Sequence, residues 1–168
     1  MKNAGKIRVL CVDDHPVVRD GIAAIINLQP DMMLASAAAT GGEALEQFSA
    51  VKPDVALVDL QLPDMSGFAL IKKIRDKSPN ARIIVLSSHE GDVDILHALE
   101  AGAQGYVVKG IVREELLETI RSVHAGKRRL LVCLAHAIFF SPTVSTSLAF
   151  THKADNRQTQ AAWGLTIP

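Results

Sequence analysis

The chain has 168 residues, 48% of them hydrophobic, and a formal net charge of +0. That composition excludes a disordered chain, and the length suits one domain with a real core plus an extension. Balanced charge gives no global signal for a nucleic-acid or membrane-surface partner. Of the two cysteines, Cys11 and Cys133, the first falls in an apolar run and reads as a small buried hydrophobe. Ile7 to Val12 is too short for a secretory signal and Arg8 interrupts it. A reduced, cytoplasmic setting is therefore expected.

Along the chain, short apolar runs alternate with amphipathic stretches. "IRVLCV" (Ile7 to Val12) reads as a buried strand, and Val18, Ile22, Ile25 and Ile26 then recur at helical spacing. "MMLASAAA" (Met32 to Ala39) is a weaker strand, followed by "GGEALEQF" as a helix. "DVALVD" is the third strand. Leu70, Ile71 and Ile74 mark the next helix, closed by Ser78-Pro79. "RIIVLSS" is the fourth strand, and "DVDILHALEAG" a helix ending at a glycine suited to a left-handed cap. "GYVVK" is a short fifth strand. Val112, Leu116, Ile120 and Val123 line one face of a last helix, stopped near Gly126.

Strands apolar on both faces and separated by helices predict a parallel sheet covered on both sides. Right-handed crossovers leave few topologies. At this size the expected fold is α/β and flavodoxin-like: a doubly wound five-stranded parallel sheet of order 2-1-3-4-5, with helices on both faces. Such a sheet presents functional residues at the carboxyl ends of its strands. Strand one ends in Asp13-Asp14, strand three in Asp59, strand four in Ser87-Ser88 and strand five in Lys109. Strand two ends in nothing chemical, as an edge strand would. Singly, each has an ordinary reading: an Asp after a strand is commonly a turn or cap residue, a Lys is solvated, a Ser caps a helix. Together, each at the end of a different strand, they are hard to obtain from turn chemistry.

Three carboxylates on one rim repel, and a hard divalent cation relieves this. Mg²⁺ takes oxygen ligands, keeps several waters and accepts one or two carboxylates plus phosphate oxygens. Lys109 adds a point charge for an anion, and the Ser87 hydroxyl can donate to it. The set suits a phosphoryl group on an aspartate nucleophile, with cation and ammonium neutralising the transferring oxygens.

The segments "VDDHP", "DLQLPDMSG", "VLSS" and "GYVVKG" occur in order, each on the expected element. With them the chain resembles the receiver (CheY-like) domain of two-component response regulators, and "VDDHPVVRDGI" resembles the opening of the NarL/FixJ (LuxR-type) subfamily. The resemblance covers roughly Lys6 to Arg129. It implies that Asp59 accepts a phosphoryl group from a sensor histidine kinase. It implies Mg²⁺ held by Asp14, Asp59 and the Gln61 backbone carbonyl, with Asp13 acting through metal-bound water. Ser87 would move toward the phosphoryl group, Tyr106 would rotate inward behind it, and Lys109 would pair with the phosphoryl oxygens. Such a protein is a stoichiometric phosphoryl acceptor, not an enzyme, although self-dephosphorylation is compatible with it. A homodimer is compatible with the resemblance, with its face left open.

Other residues carry two readings. Tyr106 is the switch residue by its motif, or core packing. His15 is a ligand by chemistry, but shaping the loop before the first helix is the better reading, because His suits a hard cation poorly. His89 either tunes hydrolytic water together with Gln61 or is merely exposed. In "LPDMSG", Pro63 fixes φ and Gly67 permits a tight backbone. Gly110 follows Lys109 where many relatives of that family carry proline, and glycine does not strongly enforce a cis bond.

Three rival classes remain to be weighed. An aspartate-nucleophile phosphatase of the haloacid-dehalogenase type needs a second acid two positions after its nucleophile, and Asp13-Asp14-His15-Pro16 has adjacent acids. A cobalamin-binding domain with Asp-x-His-x-x-Gly fits Asp13 and His15 but meets Val18 where it needs glycine. A pseudo-receiver interaction module is disfavoured by intact Asp13, Asp14, Asp59, Ser87 and Lys109.

Composition shifts after Arg129. Residues 130–168 hold three of the 36 Asp, Glu, Lys and Arg residues: Lys153, Asp155 and Arg157. The expected division is therefore a receiver domain over 1–129 and an atypical C-terminal tail over 130–168. The tail carries no recognisable helix-turn-helix output domain, so DNA binding, expected for the subfamily, is not supported by this chain. Leu130 to Phe150 is uncharged, but Pro142 and its Ser and Thr residues make it a poor membrane span. A replaced or frame-shifted C-terminus is the expectation.

Overall fold

The computed structural model describes residues 5–88 and 92–130. The expectations for His89, Cys133 and the tail beyond Leu130 lie outside the described residues. The elements are β1 (Ile7–Val12), α1 (Pro16–Asn27), β2 (Met32–Ala38), α2 (Gly41–Val51), β3 (Val55–Asp59), α3 (Gly67–Lys77), β4 (Ile83–Ser87), α4 (Asp92–Glu100), β5 (Gly105–Val108), α5 (Arg113–His124) and β6 (Arg129–Leu130). All strand pairs are parallel, in the order β2-β1-β3-β4-β5-β6.

The first five strands have the flavodoxin-like order 2-1-3-4-5, and their sequences explain why they pair. Side chains alternate between two apolar layers, so both faces of the central strands must be covered. Leu10, Val12, Ala56 and Val58 pack with α2, α3 and α4 through Ala44, Leu70, Ile71, Ile74, Ile95 and Ala98. Val9, Cys11, Val55 and Leu57 pack on the opposite face with α1 and α5 through Ile22, Ile26, Leu116, Leu117, Ile120 and Val123. The edge strand β2 is only half-buried along most of its length.

Helix boundaries follow local chemistry. Pro16 opens α1 at a position that has no N–H to satisfy. Thr40 caps α2 by accepting from the Glu43 N–H at 3.2 Å, and the Glu43 carboxylate reaches back past the cap to accept from the Ala39 N–H at 2.9 Å. Ser66 caps α3 by accepting from the Ala69 N–H at 3.2 Å. Gly102, with φ of 101°, supplies the left-handed turn expected after α4.

Two details depart from the sequence reading. Val112 does not line the buried face of α5; it is the residue before the first helical turn and is 59% exposed. The face is completed instead by Leu117, and Ile111 packs against the same layer. The second departure is β6. Gly126, at φ of 82°, reverses the chain after α5. The Lys127 N–H then donates to the Ser122 carbonyl, and the Arg129 N–H to the Gln104 carbonyl, both at 2.9 Å. Arg129 also pairs with Glu118 of α5 at 2.8 Å. Two residues thus lie beside Gly105 and Tyr106 on the free edge of β5. A strand that short, begun by an arginine, carries no periodic signal.

Candidate functional site

Asp13 directly follows β1, Asp59 ends β3, Ser87 ends β4 and Lys109 directly follows β5. Because the strands are parallel and adjacent, these positions meet on one rim. Backbone bonds fix them there: the Asp13 N–H donates to the Ala38 carbonyl at 3.1 Å, Leu60 to Leu86 at 3.3 Å and Lys109 to Ser87 at 2.6 Å.

Lys109 brings the carboxylates together. Its Nζ lies 2.8 Å from Asp13 Oδ2 and 2.6 Å from Asp59 Oδ2. Asp13 and Asp59 are both buried, at 0% and 2% exposure. Burial works against the Lys109 ammonium, but hydrogen bonds and charge pairing with Asp13 and Asp59 prevail and hold its pKa above the ordinary lysine value. The Lys109 contact to Asp59 meets hydrogen-bond geometry. The 2.8 Å contact of Lys109 with Asp13 Oδ2 is an ion pair without hydrogen-bond alignment, since charge attraction does not require good angles.

Asp14 is on the solvent side of the cluster, and its Oδ1 lies 2.6 Å from His15 Nδ1. The His15 N–H donates to Asp13 Oδ1 at 2.9 Å, a local turn that shapes the loop as expected, and its ring also approaches Asp13 at 3.2 Å. One ligand atom from each of Asp13, Asp14, His15 and Asp59 lies within 4.8 Å of the others. Three carboxylates, one of them carrying a buried oxygen without a directed bond, fit a hard cation. The imidazole is the least suitable member of the set.

Gln61 is exposed, and its N–H donates to Asp59 Oδ1 at 3.2 Å. The loop after Asp59 closes on itself through the Gly67 N–H to the Leu60 carbonyl at 2.8 Å and a bridge between Gln61 and Ser66. Gly67 is needed for steric reasons: a Cβ there would stand 2.3 Å from the Asp59 carbonyl oxygen. The Lys109–Gly110 peptide is trans, and Gly110 has φ of 93°.

A cleft of about 210 Å³ opens beside Asp59, lined also by Leu60, Gln61, Ser66, Phe68, Ser87, Ser88 and Asp94. Tyr106 is fully buried behind this wall. Burial raises its phenol pKa, a hydrogen bond with Ser87 opposes that rise, and the charge of Asp94 adds to it. Tyr106 is thus linked to the rim through Ser87.

Sequence reasoning overlooked two contributors. Arg19, one turn into α1, donates to the Asp13 carbonyl at 2.6 Å. Asp64, at the apex of the β3–α3 loop, accepts from the Gly41 and Gly42 N–H groups at 2.7 and 2.8 Å. A basic residue one turn after "DDHP" could have signalled the first. Nothing local signals the second, because its partners are more than twenty residues away.

This rim, on this fold, defines a class. Residues 9–121 match the response regulator receiver domain family, and the chain belongs to it. It is 33% identical over 148 residues to the nitrate/nitrite response regulator protein NarL of Escherichia coli K12, covering 88% of this chain and 66% of that protein. It is 37% identical to the DNA-binding transcriptional activator DevR/DosR of Mycobacterium tuberculosis, covering 74% of this chain and 57% of that protein. It therefore spans only part of these relatives. Among solved structures it resembles a LuxR-family two-component response regulator from Aurantimonas sp. SI85-9A1, with TM-score 0.71, 34% identity and coverage of 86% of this chain and 96% of that chain. It also resembles the signal receiver domain of the response regulator NarL from Mycobacterium tuberculosis, with TM-score 0.70, 31% identity and coverage of 73% of this chain and 98% of that chain. The expected receiver fold and NarL-type kinship are thereby established. Among the described residues no helix is long and apolar enough to cross a membrane.

Proposed function

We propose that this chain is a Mg²⁺-dependent phosphoacceptor in which Asp59 takes a phosphoryl group from a phosphohistidine of a sensor kinase. The observation that carries the proposal is the buried Asp13–Lys109–Asp59 bridge, with contacts of 2.8 and 2.6 Å, whose Asp59 lines an open cleft. Asp14, Asp59 and the Gln61 carbonyl would hold the cation, with Asp13 acting through water. When bound, the cation would supply charge neutralisation to the transferring oxygens.

The protein's own groups do the rest. An Asp59 carboxylate oxygen forms the new bond to phosphorus as the phosphorus–nitrogen bond breaks and imidazole leaves. Burial keeps Asp59 fixed and partly dry. The Lys109 ammonium, already against Asp59, follows the negative charge to the phosphoryl oxygens. The Ser87 hydroxyl donates to that group from the cleft wall, which alters its bond with Tyr106. The face of α4, β5 and α5 responds by a shift between existing conformations. The domain division at 129/130, the cytoplasmic setting, the histidine-kinase partner, a homodimer and a role in transcription control belong to this proposal. So does the absence of sequence-specific DNA contact by this chain: 1–129 carry 16 Lys and Arg against 17 Asp and Glu, and their one basic cluster, Lys127-Arg128-Arg129, ends the receiver and is followed by an uncharged stretch.

Acetyl phosphate with Mg²⁺ tests the reading. One phosphoryl group should appear by intact mass, and Asp59→Asn should abolish it. Asp14→Ala should weaken Mg²⁺ binding far more than His15→Ala. Amide shifts on phosphorylation should extend to Ser87–Arg113. Continuous turnover would point to a phosphatase, no uptake to a pseudo-receiver, and unchanged labelling of Asp59→Asn to a different acceptor.

A further inference from the structure

The Asp64 carboxylate spans the start of α2. Its Oδ1 accepts from the Gly41 N–H at 2.7 Å and its Oδ2 from the Gly42 N–H at 2.8 Å. These are the first two of the helix's free donors. The remaining ones are already used, since Glu43 donates to Thr40 Oγ1 and Ala44 to the Thr40 carbonyl at 3.0 Å. So Thr40 serves only the third and fourth donors of α2 locally, and Asp64 takes the first two from another part of the chain. Its stem is the loop that begins at Asp59 and carries Gln61. That loop is pinched at its base by the Gln61–Ser66 bridge and the Gly67-to-Leu60 bond. Its apex is held by Asp64 and the neighbouring Met65, and Leu62 packs half-buried against the core. Met65 lies so close to Gly41 that a Cβ there would meet its side chain at 2.6 Å.

We propose that Asp64 is a positioning residue of the phosphoryl-transfer site: by fastening the loop apex to the start of α2, it fixes Gln61 beside Asp59. This rests on the phosphoacceptor reading given above. A carboxylate suits the task because two oxygens meet two successive N–H groups at the positive end of a helix. Those two donors hold the Asp64 pKa below the ordinary carboxylate value, so the clasp stays charged through neutral pH. Glycine at 41 and 42 leaves the approach open: a Cβ at Gly42 would already touch Asp64 Oδ2 at 3.5 Å.

The test compares Asp64→Ala with Thr40→Ala. Both remove a cap from the same helix end, but only the first releases the loop. In Mg²⁺-free buffer, amide exchange at Gln61, Leu62 and Met65 should accelerate in Asp64→Ala and stay unchanged in Thr40→Ala. In calorimetric titration, the Mg²⁺ dissociation constant of Asp64→Ala should rise about tenfold, as for other residues that orient ligands, and Thr40→Ala should bind as the unaltered chain does. Asp64→Asn, which offers one good acceptor, should fall between. Unchanged loop exchange in Asp64→Ala, or an equal effect of Thr40→Ala, overturns the proposal. If the unaltered chain takes up neither Mg²⁺ nor a phosphoryl group, the functional reading fails, and the exchange data alone decide whether Asp64 fastens the loop.

Discussion

Gly67→Ala is a sharp probe of how the loop meets the strand. Glycine at the first turn of a helix normally gains from replacement, because alanine is the better helix former by about 1 kcal/mol. Here the added carbon would sit 2.3 Å from the Asp59 carbonyl oxygen and 2.6 Å from Leu60 Cα. Both are backbone atoms, so no side chain can swing aside, and the start of α3 must retreat by roughly 1 Å to reach ordinary contact. Overpacking of this kind costs about 3 kcal/mol at its upper range. The net loss is therefore about 2 kcal/mol, or roughly 8 °C in Tm for a domain of this size. The retreat also drags the Asp59 backbone, and a displacement near 1 Å can slow transfer on the order of 100-fold. Gly21→Ala is the matched control. It too lies in a helix, but nothing stands within 4 Å of its added carbon, so it should gain about 0.5–1 kcal/mol. Thermal melts by circular dichroism and acetyl phosphate labelling give both readouts. A Gly67→Ala protein that melts at or above the unaltered chain and labels at its rate would refute the steric argument.

Lys109→Met should be costly in EDTA, because it leaves two buried carboxylates without their countercharge; we expect a loss of about 3 kcal/mol. Added Mg²⁺ should then raise the variant's Tm more than that of the unaltered chain, and an equal rise would mean that lysine and cation do not share the same carboxylates. Far from the rim, Arg121 of α5 donates to both Asp31 oxygens at 2.8 and 3.0 Å. That hydrogen bond lowers the Asp31 pKa below 3.8, so its contribution is fully present above that value and is lost as pH falls through the lowered one. The pair is solvent-screened and should contribute at most about 1 kcal/mol. Asp31→Asn should lower Tm by a few degrees at pH 7, and the gap should close in acid. A gap independent of pH would exclude the ion pair as its source.

The fold was legible because its signal is repeated and local. Apolar strands, helical spacing in Ile22–Ile26 and Leu70–Ile74, and glycines after α4 and α5 each specify an element, and parallel pairing with right-handed crossovers leaves little choice of order. The rim was legible for the same reason, since a residue at the end of a strand is placed by that strand. What the tertiary structure alone decided involves partners far apart in the chain. Val112 looked like part of the apolar stripe, but the helix begins one residue later and turns it outward. Strand β6 exists because the reversal at Gly126 brings Arg129 to Gln104 and Glu118, not because two residues prefer extended backbone. Gly67 was read as permitting a tight backbone, and the packed chain shows which contact demands it: a carbon there would meet the Asp59 carbonyl oxygen and Leu60 Cα. The sequence placed Asp13, Asp59 and Lys109 on one edge, but the single ammonium shared between two buried carboxylates and the grip of Asp64 on a helix 22 residues earlier depend on side-chain distances. Periodicity determines which face a residue occupies; only the packed chain determines which distant donor lies within 3 Å of it.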